Sequence, residues 1–581
     1  MVLGNPFIRK SPDYDLPELY TIQAGNVQSY GDNLINELQS GMDRISSNSD
    51  PATFENTILP LDAILHKFYT ALYACAAHVW GAADTARALL HSRLLNSAIM
   101  RNAKLYQRVR SVLETLPEEN EDHRFAKACE LLLRRNGASL NDSNLEKFHR
   151  FGRQISKALQ TYSPKLERNK KANLLQQLIV ARTQQFQLIS PYDDWASFEI
   201  AQTCAGSVEA VESLLVSMSQ MFTTIGLTRF HQELGYPAPS SSQFNWEAYV
   251  NKVTPRLSIL NARRWKLEDV LWNGIFFIAK KLYGLEVVER SDIHKVHADV
   301  RVFEFLEEDG SKLGLIFLDL KNRHFKDDEN FAAPLMERSH HLKLERSAAI
   351  IMMCIPANHD RVTFTEVVTL FHEFGHALHM IFSNPKYSLL SAIHGPLDWV
   401  EFPSQLHEMW AHDPEVLRSM DPGLTVAQIS QIQNEFAFFD AVKKFQDLLT
   451  GIAAFHWTRL TRAPADIQSF IQSMQNRYGL EFVSPPAKFL SPQILVDVDS
   501  TIPLLYGYPF AWRTARSAQE WVKANGGLCR KTGEQIRSEA LSKGLSVPYE
   551  DMIELFYNDH QNVTLHEDLR GLSIRLSPVR S

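Results

Sequence analysis

The chain has 581 residues, of which 45% are hydrophobic and 22% charged, and this ordinary globular composition excludes a disordered protein and a small disulfide scaffold. A net charge of −7 provides no general attraction for nucleic acid or anionic lipid, so neither is an expected partner. The five cysteines are scattered without a CxxC pair, which is typical of reduced thiols in the cytosol.

The N-terminal sequence MVLGNPFIRKSPDYDLPELY lacks the apolar run of a signal peptide. The longest apolar run of the chain, AAIIMMCI at residues 348–355, is too short to cross a bilayer and has the length of a buried strand. We therefore predict a cytoplasmic protein that does not contact membranes.

Most of the first 290 residues have the pattern of helices. Apolar residues recur at three- and four-residue spacing over residues 62–100 and 144–162, and neither segment contains proline. Pro237, Pro239 and the serines that follow them mark a loop between two parts of the chain. These features predict a mainly α protein.

One segment breaks the helical pattern. Residues 300–320 alternate apolar and polar side chains on both sides of Asp309 and Gly310, a pair that readily adopts the positive φ angles of a tight turn. This pattern predicts a β-hairpin. Because an exposed strand edge offers backbone donors and acceptors to an extended peptide, the hairpin is compatible with a peptide-binding enzyme, although it would serve equally well as scaffold.

The clearest predicted helix covers residues 363–382. Its apolar residues keep helical spacing until Pro385 ends the run. Gly375 is a weak helix former inside this segment, and its presence predicts that another element packs closely against the helix there.

This helix carries the sequence FHEFGHALH at residues 371–379, in which His372, Glu373 and His376 fit the pattern His-Glu-x-x-His. One helical turn separates the two imidazoles, so they face the same side and are able to share a metal ion, with a glutamate beside them to act as a base. The alternative is a core helix in which two histidines are paired by chance.

A catalytic zinc ion normally has three protein ligands and leaves its fourth position to water. The best candidate for the third ligand is Glu401, which lies 25 residues after His376 near the start of a second predicted helix. The alternative is that Asp398 and Glu401 form a capping box at that helix start, where Pro403 suits the first turn.

Three acids are candidates to accept hydrogen bonds from the outer ring nitrogens of the two histidines: Glu366, Asp398 and Glu408. Each of them is equally well explained as an ordinary acid on a helix surface.

The linked segments TLFHEFGHALH and DWVEFPSQLHEMW closely resemble the thimet oligopeptidase family of zinc endopeptidases, which includes neurolysin and mitochondrial intermediate peptidase. The resemblance extends from about Lys170 to the end of the chain. We therefore divide the chain into an N-terminal helical region, residues 1–169, and a zinc metallopeptidase catalytic region, residues 170–581.

The resemblance implies a mainly α, zincin-type fold. In this fold two helical sub-domains enclose a deep channel that admits short peptides, and a small β-sheet lies next to the His-Glu-x-x-His helix. The resemblance also implies one zinc ion per chain, bound by His372, His376 and Glu401, with Glu373 as the general base.

The sequence departs from the family in the substrate-binding loop. The family has there a glycine-rich loop that opens with histidine and ends in Tyr-Tyr-x-Tyr, whereas this chain reads LVDVDSTIPLLYGYPFAW at residues 495–512. Tyr508 and Tyr506 match the last tyrosines of that loop and are the candidate contacts to the substrate carbonyl. Tyr508 is equally well explained as an aromatic residue packed beside Pro509 and Trp512.

These residues predict hydrolysis of short peptides by a zinc-activated water. Glu373 takes the proton of the water and passes it to the leaving amine, while Tyr508 donates a hydrogen bond to the developing oxyanion. The altered loop leaves two other interpretations open: a zinc enzyme on a repurposed oligopeptidase scaffold, acting on a modified peptide or other small molecule, and a binding shell without activity. We expect a monomer whose partner is its substrate.

Overall fold

The structure is a computed structural model. It describes residues 27–78, 98–118, 120–161, 168–223, 244–245, 258–295, 297–323, 326, 330–480, 483–484 and 502–556. The predicted loop at Pro237 and Pro239 lies outside these residues.

Helices make up most of the described chain, as the sequence pattern predicts. In chain order the α-helices are α1 (Val27–Ser46), α2 (Leu59–His78), α3 (Ala103–Leu113), α4 (Glu121–Arg135), α5 (Asp142–Thr161), α6 (Arg168–Ile189), α7 (Trp195–Ile200), α8 (Val208–Met221), α9 (Ser258–Ala262), α10 (Leu267–Val270), α11 (Phe276–Tyr283), α12 (Phe364–Phe382), α13 (Leu397–Ala411), α14 (Pro414–Met420), α15 (Val426–Thr458), α16 (Ile467–Arg477), α17 (Gly507–Ala524), α18 (Arg530–Ile536) and α19 (Tyr549–Glu554).

The predicted helical segments at residues 62–100 and 144–162 correspond to α2 and α5, and residues 79–97 of the first lie outside the described chain. Among the described helices, none is both long and apolar enough to span a bilayer. The prediction of a mainly α fold is confirmed.

A five-stranded sheet lies among the helices. The described strands are β1 (Phe244–Asn245), β2 (Trp265–Lys266), β3 (Glu286–Glu289), β4 (Arg301–Leu306), β5 (Lys312–Lys321), β6 (Phe331–Met336), β7 (Ser347–Ile355), β8 (Arg361–Val362) and β9 (Val483–Ser484). The sheet has the order β3-β4-β5-β7-β6, in which β5 and β7 are parallel and the other neighbours antiparallel. The remaining strands form two short pairs, β2 with β8 and β1 with β9.

The predicted hairpin is confirmed, because β4 and β5 pair antiparallel and Gly310 in their turn has a φ angle of +81°. Residues 348–355 also form the predicted strand, within β7. Neither strand of the hairpin is an edge of the sheet, so the hairpin itself offers no free edge to a peptide. Strand β4 pairs with β3 on its other side and β5 pairs with β7, so the edges of the sheet belong to β3 and β6.

The two faces of the sheet belong to two different apolar cores, because side chains alternate along each strand. Ile316 and Ile351 lie in the core that contains α12. Their chain neighbours Leu315 and Ile350 point the other way and pack in the core formed by helices α1 to α4. The N-terminal helices and the sheet therefore share one core.

A buried acid also connects the N-terminal helices to the segment between α12 and α13. Asp62 of α2 accepts hydrogen bonds from the backbone N–H of Ser388, at 2.9 Å, and from its hydroxyl, at 2.8 Å.

The predicted region boundary between residues 169 and 170 falls in the first turn of α6, which packs against α5 through a shared apolar cluster. That boundary remains a prediction.

Helix α12 begins where the sequence predicts. The Thr363 hydroxyl accepts a hydrogen bond from the N–H of Glu366, whose carboxylate accepts one from the N–H of Thr363, so the pair forms a capping box. At Gly375 a Cβ atom would lie 2.6 Å from the carbonyl oxygen of Pro403 and 2.7 Å from Cα of Ser404. The glycine therefore permits the predicted close approach of another element, which is α13.

Helix α13 begins earlier than the sequence predicts. Its N-cap is Pro396, which makes no side-chain capping bond, so Asp398 and Glu401 do not form a capping box. Pro403 is the seventh residue of the helix and not part of its first turn. Because proline has no N–H, it cannot donate the helical hydrogen bond to the carbonyl of Trp399. Local capping signals fail here because the start of the helix is determined by its packing against α12 and α17.

Candidate metal centre

Helices α12 and α13 bring three side chains to one point. The Oε2 atom of Glu401 lies 3.3 Å from Nε2 of His372 and 3.6 Å from Nε2 of His376, and the ligand atoms of all three residues lie within 4.8 Å of one another. Ligands about 2.0–2.1 Å from one tetrahedral zinc ion are about 3.3 Å apart. Two imidazole nitrogens and a carboxylate therefore fit a zinc ion with one open position.

The backbone explains this convergence. His372 and His376 lie one turn apart on α12, and the contact at Gly375 between them brings α13 close enough for Glu401 to reach both rings. Ser404, on the next turn of α13, donates a hydrogen bond of 3.0 Å to Oε2 of Glu401. We did not predict Ser404 from the sequence, because its role depends on the position of α13.

Electrostatics hold Glu401 in its charged form. Burial alone would raise its pKa, but the charges of His376 and His372 and their hydrogen bonds outweigh burial and hold the pKa well below its usual value. A carboxylate that is already ionised is the form that binds a cation.

Glu373 lies beside these ligands and has a different environment. It is buried, and burial raises the pKa of its carboxyl group, against the opposing charges of His372 and His376. Its Oε2 atom has no hydrogen-bond partner among the described residues. A carboxylate with a raised pKa and an unused oxygen is suited to accept and return a proton.

Glu408 lies at the outer nitrogen of His372, with its Oε1 atom 2.7 Å from Nδ1. Burial would lower the pKa of His372, but hydrogen bonds to Glu401 and Glu408 outweigh it and raise the pKa to about 10. This arrangement directs the Nδ1–H of His372 to Glu408 and leaves Nε2 to face Glu401 and His376.

A buried lysine lies behind Glu408. Nζ of Lys444, on α15, is 3.5 Å from Oε2 of Glu408 and 3.2 Å from Oε1 of Gln405. We did not predict Lys444 from the sequence. The one hint in the sequence is the position of Lys444 on the apolar face of its helix. It lies three residues after the buried Ala441 and four before the buried Leu448, where an apolar side chain is expected.

Two of the predicted partners of the histidines lie elsewhere. The carboxylate of Glu366 caps α12 through Thr363. Asp398 accepts hydrogen bonds from the backbone N–H groups of Cys204, at 3.3 Å, and Ala205, at 3.1 Å. Both predictions are wrong for the same reason: a spacing in sequence fixes the helix face of an acid but not the element that packs against it.

The two candidate tyrosines also differ. Tyr506 is fully buried, and its hydroxyl lies 3.0 Å from Oδ2 of Asp398 and 2.6 Å from the hydroxyl of Thr203, so it is not available to a substrate carbonyl. Tyr508 is partly exposed. The negative charge of nearby Glu401, together with burial, raises the pKa of the Tyr508 hydroxyl, so of the two tyrosines it is Tyr508 that senses a proposed ligand.

A family model and several known proteins are similar to this chain over much of its length. The family model described as Peptidase family M3 matches residues 153–568. The dipeptidyl carboxypeptidase of Escherichia coli strain K12 is 26% identical over 441 residues, which are 71% of this chain and 64% of that protein. A thimet-like oligopeptidase of Dictyostelium discoideum is 26% identical over 433 residues, 67% of this chain and 63% of that protein. The chain thus matches less than two thirds of the length of these relatives.

Among solved structures, PZ peptidase A with an inhibitor superposes with a TM-score of 0.60 at 12% identity, covering 94% of this chain and 97% of that one. At this identity the likeness establishes the fold alone. The family model and the two relatives confirm the resemblance to the thimet oligopeptidase family, and the structural likeness confirms the expected fold class.

Proposed function

The chain belongs to peptidase family M3, and from this premise we propose that it is a zinc-dependent endopeptidase for short peptides. The observation that carries the proposal is the convergence of His372, His376 and Glu401 within 4.8 Å, beside a buried glutamate with an unused oxygen. We propose these three residues as the zinc ligands, with one ion per chain, and Glu373 as the general base.

Zinc bound by these ligands would polarise the carbonyl of the scissile bond and lower the pKa of a water molecule. Glu373 accepts the proton of that water at Oε2 as the water attacks the carbonyl carbon, and then delivers the proton to the leaving amine. The Tyr508 hydroxyl donates a hydrogen bond to the carbonyl oxygen as negative charge develops there. His372 stays in place because Glu408 holds its outer nitrogen.

The cellular setting remains part of the proposal. We expect a monomer that acts in the cytoplasm, with a peptide as its partner, and a narrow channel that excludes folded proteins. Four of the cysteines, Cys129, Cys204, Cys354 and Cys529, form no disulfide bond, which is compatible with a reducing compartment.

A second candidate function rests on the buried hydrogen bonds of the Tyr506 hydroxyl, which keep it from a substrate. The hydroxyl of Tyr506 is hydrogen-bonded to Asp398 and Thr203. Tyr508 is therefore the one tyrosine of this pair that is available to a substrate. A site with fewer carbonyl contacts favours a slow peptidase, or zinc chemistry on a modified peptide or another small molecule on the same scaffold.

The decisive experiment compares Glu373→Gln with wild type and with Glu366→Gln, a matched change on the same helix but outside the site. Metal analysis should give one zinc per chain in all three proteins. A mixed library of short peptides, analysed by mass spectrometry, should be cut by wild type and Glu366→Gln and left intact by Glu373→Gln, because an amide cannot accept the proton.

Three outcomes would change the proposal. Cleavage by Glu373→Gln at the wild-type rate would remove Glu373 from the mechanism. A zinc-loaded wild type that leaves every peptide intact would favour the repurposed scaffold. Cleavage of intact casein as readily as of its short fragments would show that no channel limits access.

A further inference from the structure

Lys444 is buried in the middle of α15, where it is 3% exposed. A buried ammonium group is costly unless charged and polar partners surround it. Its partners here are Oε1 of Gln405 at 3.2 Å, Oε2 of Glu408 at 3.5 Å and Oδ1 of Asp440 at 3.9 Å. A long apolar side chain would fill the same space without the free-energy cost of desolvating a charge, so the presence of the ammonium group needs an explanation.

The partners of Lys444 lead to the candidate metal centre by two routes. Glu408 uses its other oxygen, Oε1, to bind Nδ1 of His372 at 2.7 Å. Gln405 uses its Nε2 group to donate a hydrogen bond of 3.2 Å to the backbone carbonyl of Tyr508. One ammonium group on α15 therefore connects α12, α13 and α17, the three helices that carry the ligands and the tyrosine.

We propose that Lys444 is a positioning residue, which holds Glu408 and Gln405 so that His372 presents Nε2 to the zinc ion and Tyr508 keeps its place. This inference rests on the proposed zinc site. Because the two oxygens of Glu408 have different partners, its carboxylate cannot rotate without breaking a contact. Glu408 then accepts the Nδ1–H of His372 and leaves the Nε2 lone pair for the metal.

The main test measures the zinc affinity of the apoprotein by competition with a chromophoric chelator. Lys444→Met keeps an unbranched side chain of similar length and removes the ammonium group. We expect zinc binding to weaken by about 10- to 100-fold, the range typical of lost outer partners of a ligand.

The matched control is Lys443→Met, which removes the same charge from the exposed neighbouring position of the same helix. The charge of Lys443 also acts on Glu408 and Glu373, but Lys443 makes no hydrogen bond to Glu408 or Gln405 and solvent screens its exposed charge. Its zinc affinity should therefore stay within about 3-fold of wild type. An equal loss in both variants would show that the effect is one of net charge and would overturn the positioning role.

A double-mutant cycle tests whether Lys444 acts through Glu408. Glu408→Gln should weaken zinc binding on its own, and adding Lys444→Met to it should weaken binding much less than it does in the wild-type background. Full additivity of the two losses would overturn the route through Glu408.

Folding is followed in each apoprotein by circular dichroism during urea unfolding. If Lys444→Met fails to fold, Lys444→Gln takes its place, since its amide still donates a hydrogen bond but is too short to hold both partners. Wild-type zinc affinity in whichever variant folds would overturn the proposal. A wild type that binds no zinc, or a His372→Ala variant that binds it normally, would instead overturn the proposed function.

Discussion

Besides the proposed ligand Glu401, helix α13 carries two buried acids whose surroundings differ. Asp398, at its start, accepts hydrogen bonds from two backbone amides and from Tyr506, and burial raises its pKa. Glu408, near its end, accepts from His372 and Lys444. Burial would raise the pKa of Glu408 as well, but Lys444 and His372 outweigh it and hold the pKa low. The same helix therefore uses one acid to hold the fold and another to prepare a ligand.

The two tyrosines at the start of α17 repeat this contrast two residues apart. The hydroxyl of Tyr506 donates to Asp398, whereas the negative charge of Glu401 raises the pKa of the Tyr508 hydroxyl. Residue type does not separate the two roles. What separates them is the charge of the partner and the accessibility of the tyrosine itself, because Tyr506 is fully buried and Tyr508 is partly exposed. The following changes test that distinction.

The largest expected effect is on metal affinity. Glu401→Ala removes one of three proposed ligands, and because structural zinc sites have binding free energies on the order of 10 kcal/mol, its loss should weaken zinc binding by about 10³-fold. Metal content per chain and chelator competition measure this change. Asp398→Asn serves as the comparison and should keep its zinc. Equal losses of zinc in both variants would show that Asp398 matters for metal binding as much as Glu401 does.

The next effect is on stability. Asp398→Asn turns an acceptor of three hydrogen bonds into a group with one acceptor oxygen, and it leaves buried donors without partners. We expect the free energy of unfolding to fall by roughly 3 kcal/mol. Urea unfolding of the apoprotein measures it, and a change below about 0.5 kcal/mol, the size of an ordinary surface substitution, would contradict the structural role.

The tyrosines provide a matched pair of hydroxyl deletions. Tyr508→Phe should lower kcat by about 10²-fold, the size typical of losing one oxyanion donor, with zinc content unchanged. Tyr506→Phe should leave kcat near wild type and lower stability by about 1 kcal/mol. Steady-state kinetics on the best library peptide, together with urea unfolding, measure both. Reversed phenotypes would show that the roles are exchanged.

The smallest effect compares two histidines. His407 donates from Nδ1 to the carbonyl of Pro403 at 2.7 Å, and its Nε2 lies 2.9 Å from the hydroxyl of Tyr283. Burial lowers its pKa to about 4, whereas the carboxylates around His372 raise the pKa of that residue to about 10. His407 is therefore held neutral, whereas His372 of the apoprotein favours its protonated form until a metal ion takes the place of the proton on Nε2.

This difference predicts an acid-dependent loss of stability. Between pH 6.5 and 4 the unfolded chain binds a proton at residue 407 that the folded chain does not, so the His407 contribution is present above pH 6.5 and lost as the pH falls toward 4. By pH 5 the loss amounts to roughly 2 kcal/mol. Urea unfolding of the apoprotein at several pH values should give a flatter profile for His407→Gln. Parallel profiles would show that His407 is not held neutral.

Sequence reasoning succeeded where the signal is local. Helix α12 contains its own capping box, its own spacing of His372 and His376 and a glycine at a close contact, so its bounds and the close approach of another element followed from the chain itself. The β-hairpin was equally local, since its turn needs Gly310 at positive φ.

Prediction from the sequence failed where the residue that a side chain contacts lies in a distant part of the chain. Asp398 contacts residues 204 and 205, and Lys444 contacts Glu408 from another helix, so no spacing within one segment reveals either. Pro403 shows the same limit. It matches the profile of a first-turn proline, but the close contact at Gly375 places it inside the helix.

The sheet that faces two cores has a consequence for any attempt to shorten the protein. A fragment that begins at residue 170 would leave Leu315, Ile350 and their neighbours open to water, and it would also lose Asp62, which tethers the connection between α12 and α13. The N-terminal helices are thus no detachable accessory. They cover one face of the sheet whose other face packs against α12, and a shorter catalytic fragment would need other apolar side chains to cover that face.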